Sequence, residues 1–158
     1  MKTIHLTQGQ ITFVDDEDYD YLNQWKWYAK RCNNLYYAGR NVVLKNEKHT
    51  SILMHKVILP TSNGKIQVDH IDRNGLNNQK YNLRKATNTQ NAINSIHWNS
   101  SKYRGVHFNK RINKYQVHIS VNGRKKSLGT FIDPIIAAKK YDKYALKYHG
   151  EFAIINFK

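Results

Sequence analysis

The sequence predicts an α+β protein in which a β-rich N-terminal part precedes a three-stranded antiparallel sheet packed on one helix. Three observations support this fold class. Residues 114–121 alternate apolar and polar side chains, an Asn-Gly pair follows at 122–123, and an Asp-Pro pair at 133–134 signals a helix start. The length of 158 residues accommodates one or two compact units.

The sheet of the C-terminal part, residues 103–158, is predicted from the pairing of its strands. One face of the strand 114–121 is apolar and consists of Tyr115, Val117, Ile119 and Val121. A type I′ turn at 122–123 pairs His118 with Ser127 and Val117 with Leu128 on the returning strand. Residues 103–108 supply a third strand.

A helix is predicted to cover the apolar face of this sheet. It begins after Asp133, a good N-cap residue, and runs to about His149, where Gly150 is placed to end it. A stripe of side chains at helical spacing faces the sheet, namely Ala138, Tyr141, Ala145 and Tyr148. The alanines allow the helix to lie close to the strands.

The pattern of residues 1–60 predicts a small twisted sheet. The acidic run 15–20 indicates a helix start rather than a calcium loop, because the loop's sixth-position glycine is missing. Two β-rich runs, 25–29 and 36–44, flank a turn at 32–34. Residues 51–59 fit a strand or a helix, and both alternatives stay open at this stage.

The charge of the chain indicates a polyanionic partner. Lys and Arg number 26 against 11 Asp and Glu, a net charge of +15 with a pI near 9.9. Residues 1–94 carry 13 basic and 8 acidic side chains (+5), whereas residues 95–158 carry 13 and 3 (+10). We place the boundary between the parts near Ser95, in a polar connector over 95–102. Nucleic acid is favoured over a membrane surface.

Several classes of protein are excluded by composition. Cys32 is the only cysteine, so the chain has no internal disulfide and no Cys-x-x-Cys zinc site. Charged residues interrupt every apolar stretch, which excludes a membrane-spanning helix, and the N-terminus lacks the apolar core of a secretory signal. A cytoplasmic protein without membrane contact is expected.

The polar face of the C-terminal sheet is a candidate DNA-contacting surface. Basic side chains on one rigid face neutralise several phosphates together and release counterions. A solvated sheet face is the alternative, but the basic composition favours nucleic acid. The candidate residues on this face and its adjoining turn are Arg104, His107, Lys110, Arg111, His118, Ser120, Lys125 and Ser127.

This part also resembles the plant ethylene-response-factor (APETALA-type) DNA-binding domain. The similarity lies in segments 103–106, 114–119, 127–131, 137–142 and 150–157, over about 55 residues. It implies that the outer sheet face reads the major groove through Arg104, Gly105, His107, His118, Ser120, Lys125 and Ser127. Tryptophan and arginine positions of the plant sheet are occupied here by His107, His118, Ser120 and Ser127, which implies DNA affinity without the plant target sequence.

A second candidate site lies in residues 65–94, where composition predicts strand, loop, strand and helix. Asp69 and His70 place a carboxylate beside an imidazole at a strand end. Asn82 and Asn91 follow His70 by 12 and 21 residues. Because adjacent strand residues point to opposite faces, a shared site requires the chain to bend there.

This pattern resembles the HNH motif, the ββα-metal site of phage and intron-encoded endonucleases, in the branch whose third position is Asn. The fragments that carry the resemblance are Val68-Asp-His-Ile-Asp, Leu76-Asn-Asn, Asn82-Leu-Arg and Gln90-Asn. The resemblance implies an HNH nuclease domain over 1–94, with a β-rich start over 1–60 and the ββα-metal motif over about 65–94. An ethylene-response-factor-like domain over 103–158 follows it.

The residue types suit phosphodiester hydrolysis, which requires a deprotonated water and a cation. His70 suits the general base because its ordinary pKa lies near neutral pH. Asp69 and Asn91 offer oxygen ligands for Mg²⁺ or Mn²⁺, and no zinc is expected. The resemblance implies that Asn82 ties the loop to the strand of His70 and fixes the imidazole.

Neighbouring residues supply further candidates. Arg84 and Lys85 are interpreted as contacts to the adjacent phosphate. Asp72 and Asn94 remain open as alternatives to the two metal ligands, since each lies one step away on a plausible face. We interpret His55 as a packing or phosphate-contacting residue rather than a catalytic residue.

The sequence therefore predicts a metal-dependent HNH endonuclease of the free-standing phage or homing type, which acts as a monomer on double-stranded DNA and nicks one strand. The C-terminal sheet would supply targeting by holding the nuclease near its substrate. The rival hypothesis is a non-catalytic DNA-binding regulator on a degenerate nuclease scaffold. An RNA-binding module ranks last, because the polar sheet face lacks aromatic side chains on its two well-defined strands.

Overall fold

The computed structural model describes residues 1–44, 46–62, 64–95 and 102–157. The chain divides into two compact units, Met1–Asn88 and Thr89–Lys158. Most of the predicted connector, residues 96–101, lies outside the described residues. No helix in the described ranges has the length and apolar character needed to span a bilayer.

The first unit consists of short strands and two short helices. Its elements are β1 (Lys2–His5), β2 (Ile11–Val14), α1 (Asp16–Leu22), β3 (Tyr28–Cys32), β4 (Leu35–Val43), β5 (His49–Leu53), α2 (Met54–Ile58), β6 (Ile66–His70) and β7 (Leu83–Thr87). The strands form three antiparallel sheets, β1-β2, β3-β4-β5 and β6-β7. The segment left open in the sequence divides into both structures, because β5 ends at Leu53 and α2 begins at Met54.

The core of this unit fills the space between the small sheets and α1. Val14, Leu22 and Met54 are fully buried, and Trp27 is almost so. Each side chain of this size stabilises the fold by roughly 1.5–3 kcal/mol when it leaves water. The acidic run does begin a helix, as predicted, with three acidic residues in the first turn of α1.

The second unit contains the predicted sheet and helix. Its elements are α3 (Asn88–Ile93), which begins at the last residue of the first unit, then β8 (Val106–Asn109), β9 (Lys114–Val121), β10 (Arg124–Phe131) and α4 (Pro134–His149). The sheet order is β10-β9-β8, and all pairs are antiparallel. Asp133 caps α4 by accepting hydrogen bonds from the backbone N–H groups of Ile135 and Ile136.

The register of the hairpin confirms the predicted turn and corrects one pair. His118 lies opposite Ser127 as expected, but Val117 pairs with Gly129 and not with Leu128. The ladder shifts between Ser127 and Gly129, so Leu128 is an extra residue in a β-bulge. Upstream of the bulge, the polar and apolar faces of β9 and β10 keep their predicted sides.

The third strand also begins later than predicted. It spans Val106–Asn109 rather than 103–108. Gly105 has a φ of 73°, which lies outside the extended region and delays the strand until the next residue. This backbone conformation brings Gly105 against the ring of Tyr141 on α4, where an added Cβ would lie 2.0 Å from Cδ2.

Replacing Gly105 with alanine is expected to destabilise the second unit strongly. The positive φ costs roughly 1–3 kcal/mol, and the clash with Tyr141 costs roughly another 1–3 kcal/mol. Gly123→Ala is the matched control, because Gly123 has a φ of 75° but no atom within 4 Å of its built Cβ. Urea unfolding of both variants measures the difference, and equal losses would contradict this packing role of Gly105.

Candidate active site at the end of β6

His70 ends β6 in a buried cluster of aromatic rings. Only 5% of its surface is exposed, and the same fraction applies to His55 at the start of α2. The two imidazole centroids lie 5.0 Å apart, edge to face. The ring of Tyr37 from β4 is 5.8 Å from each of them. Rings from two other elements, β4 and α2, therefore flank the predicted general base.

Asn78 binds the imidazole of His70. Its Oδ1 lies 3.3 Å from His70 Nε2, while its Nδ2 donates to Thr12 Oγ1 at 2.8 Å. The Thr12 hydroxyl donates to the Leu76 carbonyl at 2.7 Å, so it accepts from Asn78. The amide oxygen of Asn78 consequently faces His70, which donates from Nε2. This arrangement makes Nδ1 the basic nitrogen of the neutral ring.

The loop between β6 and β7 is held by its own amides. Asn82 donates from Nδ2 to Asp72 Oδ1 at 2.9 Å and accepts from the Asp72 backbone N–H at 2.9 Å. Asp72 also accepts from the Asn74 backbone and from Asn77 Nδ2, both at 2.8 Å. Asn82 therefore holds the loop through Asp72. The amide that contacts the imidazole of His70 belongs to Asn78. Asp72, the alternative metal ligand, thus binds groups of the loop.

Asp69 and Arg84 form a buried pair across β6 and β7. They are register partners, and Asp69 Oδ2 lies 2.8 Å from both Nε and the terminal NH2 nitrogen of Arg84. The exposed fractions of the side chains are 5% and 10%. Arg84, predicted to contact phosphate, is therefore placed on the carboxylate. Lys85 is exposed on the same strand.

The remaining predicted ligand lies on α3. Asn91 is half-buried and belongs to the second unit, whereas Asp69 belongs to the first. Asn94, the alternative ligand, is buried. Within the described ranges, no three side chains of histidine, cysteine, aspartate or glutamate converge into a metal cluster. The use of Asp69 with Asn91 stays a prediction from residue type and spacing.

Burial keeps both histidines of the cluster neutral. Desolvation, with smaller contributions from the nearby His70 and Lys56, lowers the pKa of His55 from 6.5 to about 3. Desolvation also lowers the pKa of His70, against the opposing effects of Asn78, Asp72 and Asp69. A neutral His70 at neutral pH is in the form that accepts a proton.

Acid is expected to destabilise the first unit through His55. Because its pKa is about 3 in the folded protein and 6.5 for an unperturbed histidine, the unfolded chain binds more protons between these limits. Stability is therefore complete above pH 6.5 and is lost as the pH falls, by about 2 kcal/mol at pH 5. Urea midpoints at pH 7.5 and pH 5 measure this loss. His55→Phe keeps a ring in place and should reduce the loss, and an unchanged loss would contradict the assignment.

The predicted DNA-contacting residues occupy different environments. The exposed side chains are His107, Lys110, Arg111, Ser120, Lys125 and Ser127. His118 is half-buried, with its ring 6.0 Å from that of His107. Gly105 packs on Tyr141, and the guanidinium of Arg104 donates to groups within the second unit. Of the predicted DNA-contacting residues, these exposed side chains are accessible to a partner.

The structure brings in residues that sequence reasoning did not assign to the site. Asn78 appeared only within a motif fragment, and Thr12 was not considered. Tyr37 lies in the predicted β-rich run over 36–44, and its ring contacts both histidines. The sequence carries no local signal for Thr12, because it reaches Asn78 across 66 residues.

Comparison with known proteins identifies two kinds of relative. A protein of Acanthamoeba polyphaga mimivirus named an uncharacterized HNH endonuclease is 32% identical over 152 residues, which are 94% of this chain and 76% of the relative. APETALA2-like protein 2 of Oryza sativa is 43% identical over 58 residues. An AP2-like ethylene-responsive transcription factor of Arabidopsis thaliana is equally similar over 58 residues.

The two kinds of match differ in how much of each chain they cover. The plant matches cover 37% of this chain and only 13% and 12% of the two plant proteins. No protein-family model matches the chain. The viral relative is matched over three quarters of its own length and nearly all of this chain. This chain therefore belongs to the HNH endonuclease family.

Proposed function

We propose that the protein is a metal-dependent DNA endonuclease that hydrolyses phosphodiester bonds at His70. The observation that supports this most directly is the imidazole itself. The ring of His70 is buried, burial keeps it neutral, and Asn78 orients it. The preceding residue, Asp69, is a carboxylate that is ion-paired with Arg84. Membership of the HNH family supports the same reaction.

His70 would act as the general base. Its Nδ1 takes a proton from a water molecule, the water oxygen forms a bond to phosphorus, and the bond to the 3′ oxygen breaks. The departing oxygen takes a proton from solvent, which leaves a 3′ hydroxyl and a 5′ phosphate. Asn78 contributes by holding Nε2, since a ring that donates from Nε2 offers its lone pair at Nδ1.

The available donors fit a hard cation. Asp69 offers a carboxylate and Asn91 an amide carbonyl, the oxygen ligands that Mg²⁺ and Mn²⁺ accept. A carboxylate can accept a guanidinium through one oxygen and hold a cation through the other, so the Arg84 pair is compatible with this role. When bound, the cation would stabilise charge on the phosphate. Arg84 would fix the carboxylate and limit its rotation.

Double-stranded DNA is the proposed substrate, and a monomer that nicks one strand is the proposed acting form. The exposed basic face of β8, β9 and β10 supports DNA binding, as does the similarity to plant AP2-like proteins. A sheet that holds the duplex raises the local concentration of the scissile phosphate. The runner-up is a non-catalytic DNA-binding regulator, which the same face would also support.

Cleavage of long DNA separates the two functions. Supercoiled plasmid and long linear DNA are incubated with the protein in Mg²⁺, in Mn²⁺ and with EDTA, and the strands are resolved on a denaturing gel. An endonuclease produces breaks only in the samples with metal. If the protein shifts DNA in a gel but leaves it intact in all conditions and with varied sequences, the protein is a non-catalytic DNA-binding regulator.

A further inference from the structure

Arg104 donates its hydrogen bonds to the end of the helix that carries Asn91. Its two terminal nitrogens bond to the Ile93 carbonyl at 2.7 Å and to the Ser95 carbonyl at 2.5 Å. These carbonyls lie at the C-terminus of α3, two and four residues after Asn91. All of these residues belong to the second unit.

The guanidinium of Arg104 stabilises α3, which is weakly stable on its own. The helix has only six residues, and so short a helix is marginally stable in water. Its first four residues, Asn, Thr, Gln and Asn, include three with low helix propensity. Its last carbonyls have no partner within the helix. The planar guanidinium satisfies two acceptors at once and places positive charge at the negative end of the helix.

Arg104 is itself held in a fixed position. Its Nε donates to the Tyr141 hydroxyl on α4 at 3.1 Å. Its backbone N–H donates to Asn156 Oδ1 at 2.7 Å, and Asn156 Nδ2 donates to Asp142 at 2.8 Å. Asp142 is buried in α4. The chain of contacts fastens α3 to the framework of the sheet and helix unit.

We infer that Arg104 is a positioning residue for the nuclease site: it holds α3, and with it the Asn91 side chain, on the C-terminal sheet and helix. This inference rests on the proposed function. It gives the C-terminal unit a role in catalysis besides DNA binding, since loss of Arg104 would free the helix that presents a metal ligand. It also differs from the phosphate or base contact that the plant resemblance implies for this arginine.

Arg104→Gln tests this role, with Arg124→Gln as the matched control. Arg124 is an exposed arginine of the same unit, so its replacement removes the same charge. Three quantities are measured on the full chain: hydrogen exchange of amides 91–95, DNA affinity against salt, and the single-turnover cleavage rate at saturating protein. Hydrogen exchange needs neither metal nor DNA.

The positioning role predicts faster exchange of these amides in Arg104→Gln alone. It also predicts a single-turnover cleavage rate reduced about 10- to 100-fold at saturating protein, because small displacements of a catalytic group have effects of this size. A higher Mg²⁺ concentration should recover part of the rate. Arg104→Lys should recover little, since an ammonium cannot reproduce the planar fork.

Two results would overturn the inference. Unchanged exchange with an unchanged rate at saturation would show that Arg104 does not hold α3. Weaker DNA binding, with the salt slope reduced by about one and the saturated rate unchanged, would assign Arg104 to a phosphate contact. If the wild-type protein does not cut DNA, the proposed function fails, and exchange together with DNA affinity still decides whether Arg104 holds the helix.

Discussion

Replacing His70 with alanine is expected to lower the cleavage rate by about 100- to 10,000-fold, the range that a positioned general base contributes. The variant should still bind DNA, because the exposed basic face of the second unit is unaltered. Single-turnover rates at saturating protein measure the chemical step without a contribution from affinity.

His5→Ala is the matched control for this variant. His5 is an exposed histidine at the end of β1, outside the ring cluster, so its loss should leave the rate within a factor of about two. Hydrogen exchange across β6 and β7 should show that His70→Ala is folded. A His70→Ala protein that is folded and cuts DNA at the wild-type rate would eliminate this residue as the base.

Replacing Asp69 with alanine is expected to abolish detectable cleavage and to destabilise the first unit. The side chain of Arg84 is only 10% exposed and pairs with this carboxylate, and removal of one partner of such a pair costs about 3–5 kcal/mol. Two effects, metal binding and folding, are thus combined in one variant. Urea unfolding and cleavage measured on the same preparation report them together.

A double replacement separates these effects. Asp69→Ala with Arg84→Met removes the uncompensated charge and fills its space with an apolar side chain, so most of the lost stability should return. Cleavage should stay absent, because the proposed metal ligand is still missing. Recovery of cleavage along with stability would show that Asp69 serves only to pair Arg84.

Local sequence patterns predicted the second unit well and failed where a contact was distant. The alternation in β9 and the turn after it placed His118 opposite Ser127. The bulge at Leu128 escaped prediction, although the glycine at 129, inside a strand, is a signal for one. Register alone does not show where an extra residue enters.

In the candidate site, too, the local features were predictable and the distant contacts were not. The adjacent positions of Asp69 and His70, and the order of strand, loop, strand and helix, follow from residues 65–94. The ion pair with Arg84 depends on the register of two strands separated by a loop. Composition predicted a loop between the two strands, whereas the contact of the loop residue Asn78 with His70 is stabilised by Thr12 from a distant strand.

Arg104 shows that similarity to a family is not enough to assign the contacts of a side chain. The motif Tyr103-Arg-Gly-Val resembles a DNA-contacting segment, and the structure nevertheless directs the guanidinium to the carbonyls of Ile93 and Ser95. The partner helix lies outside the segments that carry the resemblance. A contact with it is visible only when both are placed together in three dimensions.

The chemistry of the nicks on plasmid DNA tests the central claim most directly. Supercoiled plasmid is treated with the wild-type protein in Mg²⁺ or EDTA, and the products are then incubated with DNA ligase. Hydrolysis at His70 predicts nicks that form only with the metal and that ligase seals, because they carry 3′ hydroxyl and 5′ phosphate ends. Bound but intact plasmid, or breaks that form equally in EDTA, would contradict the account.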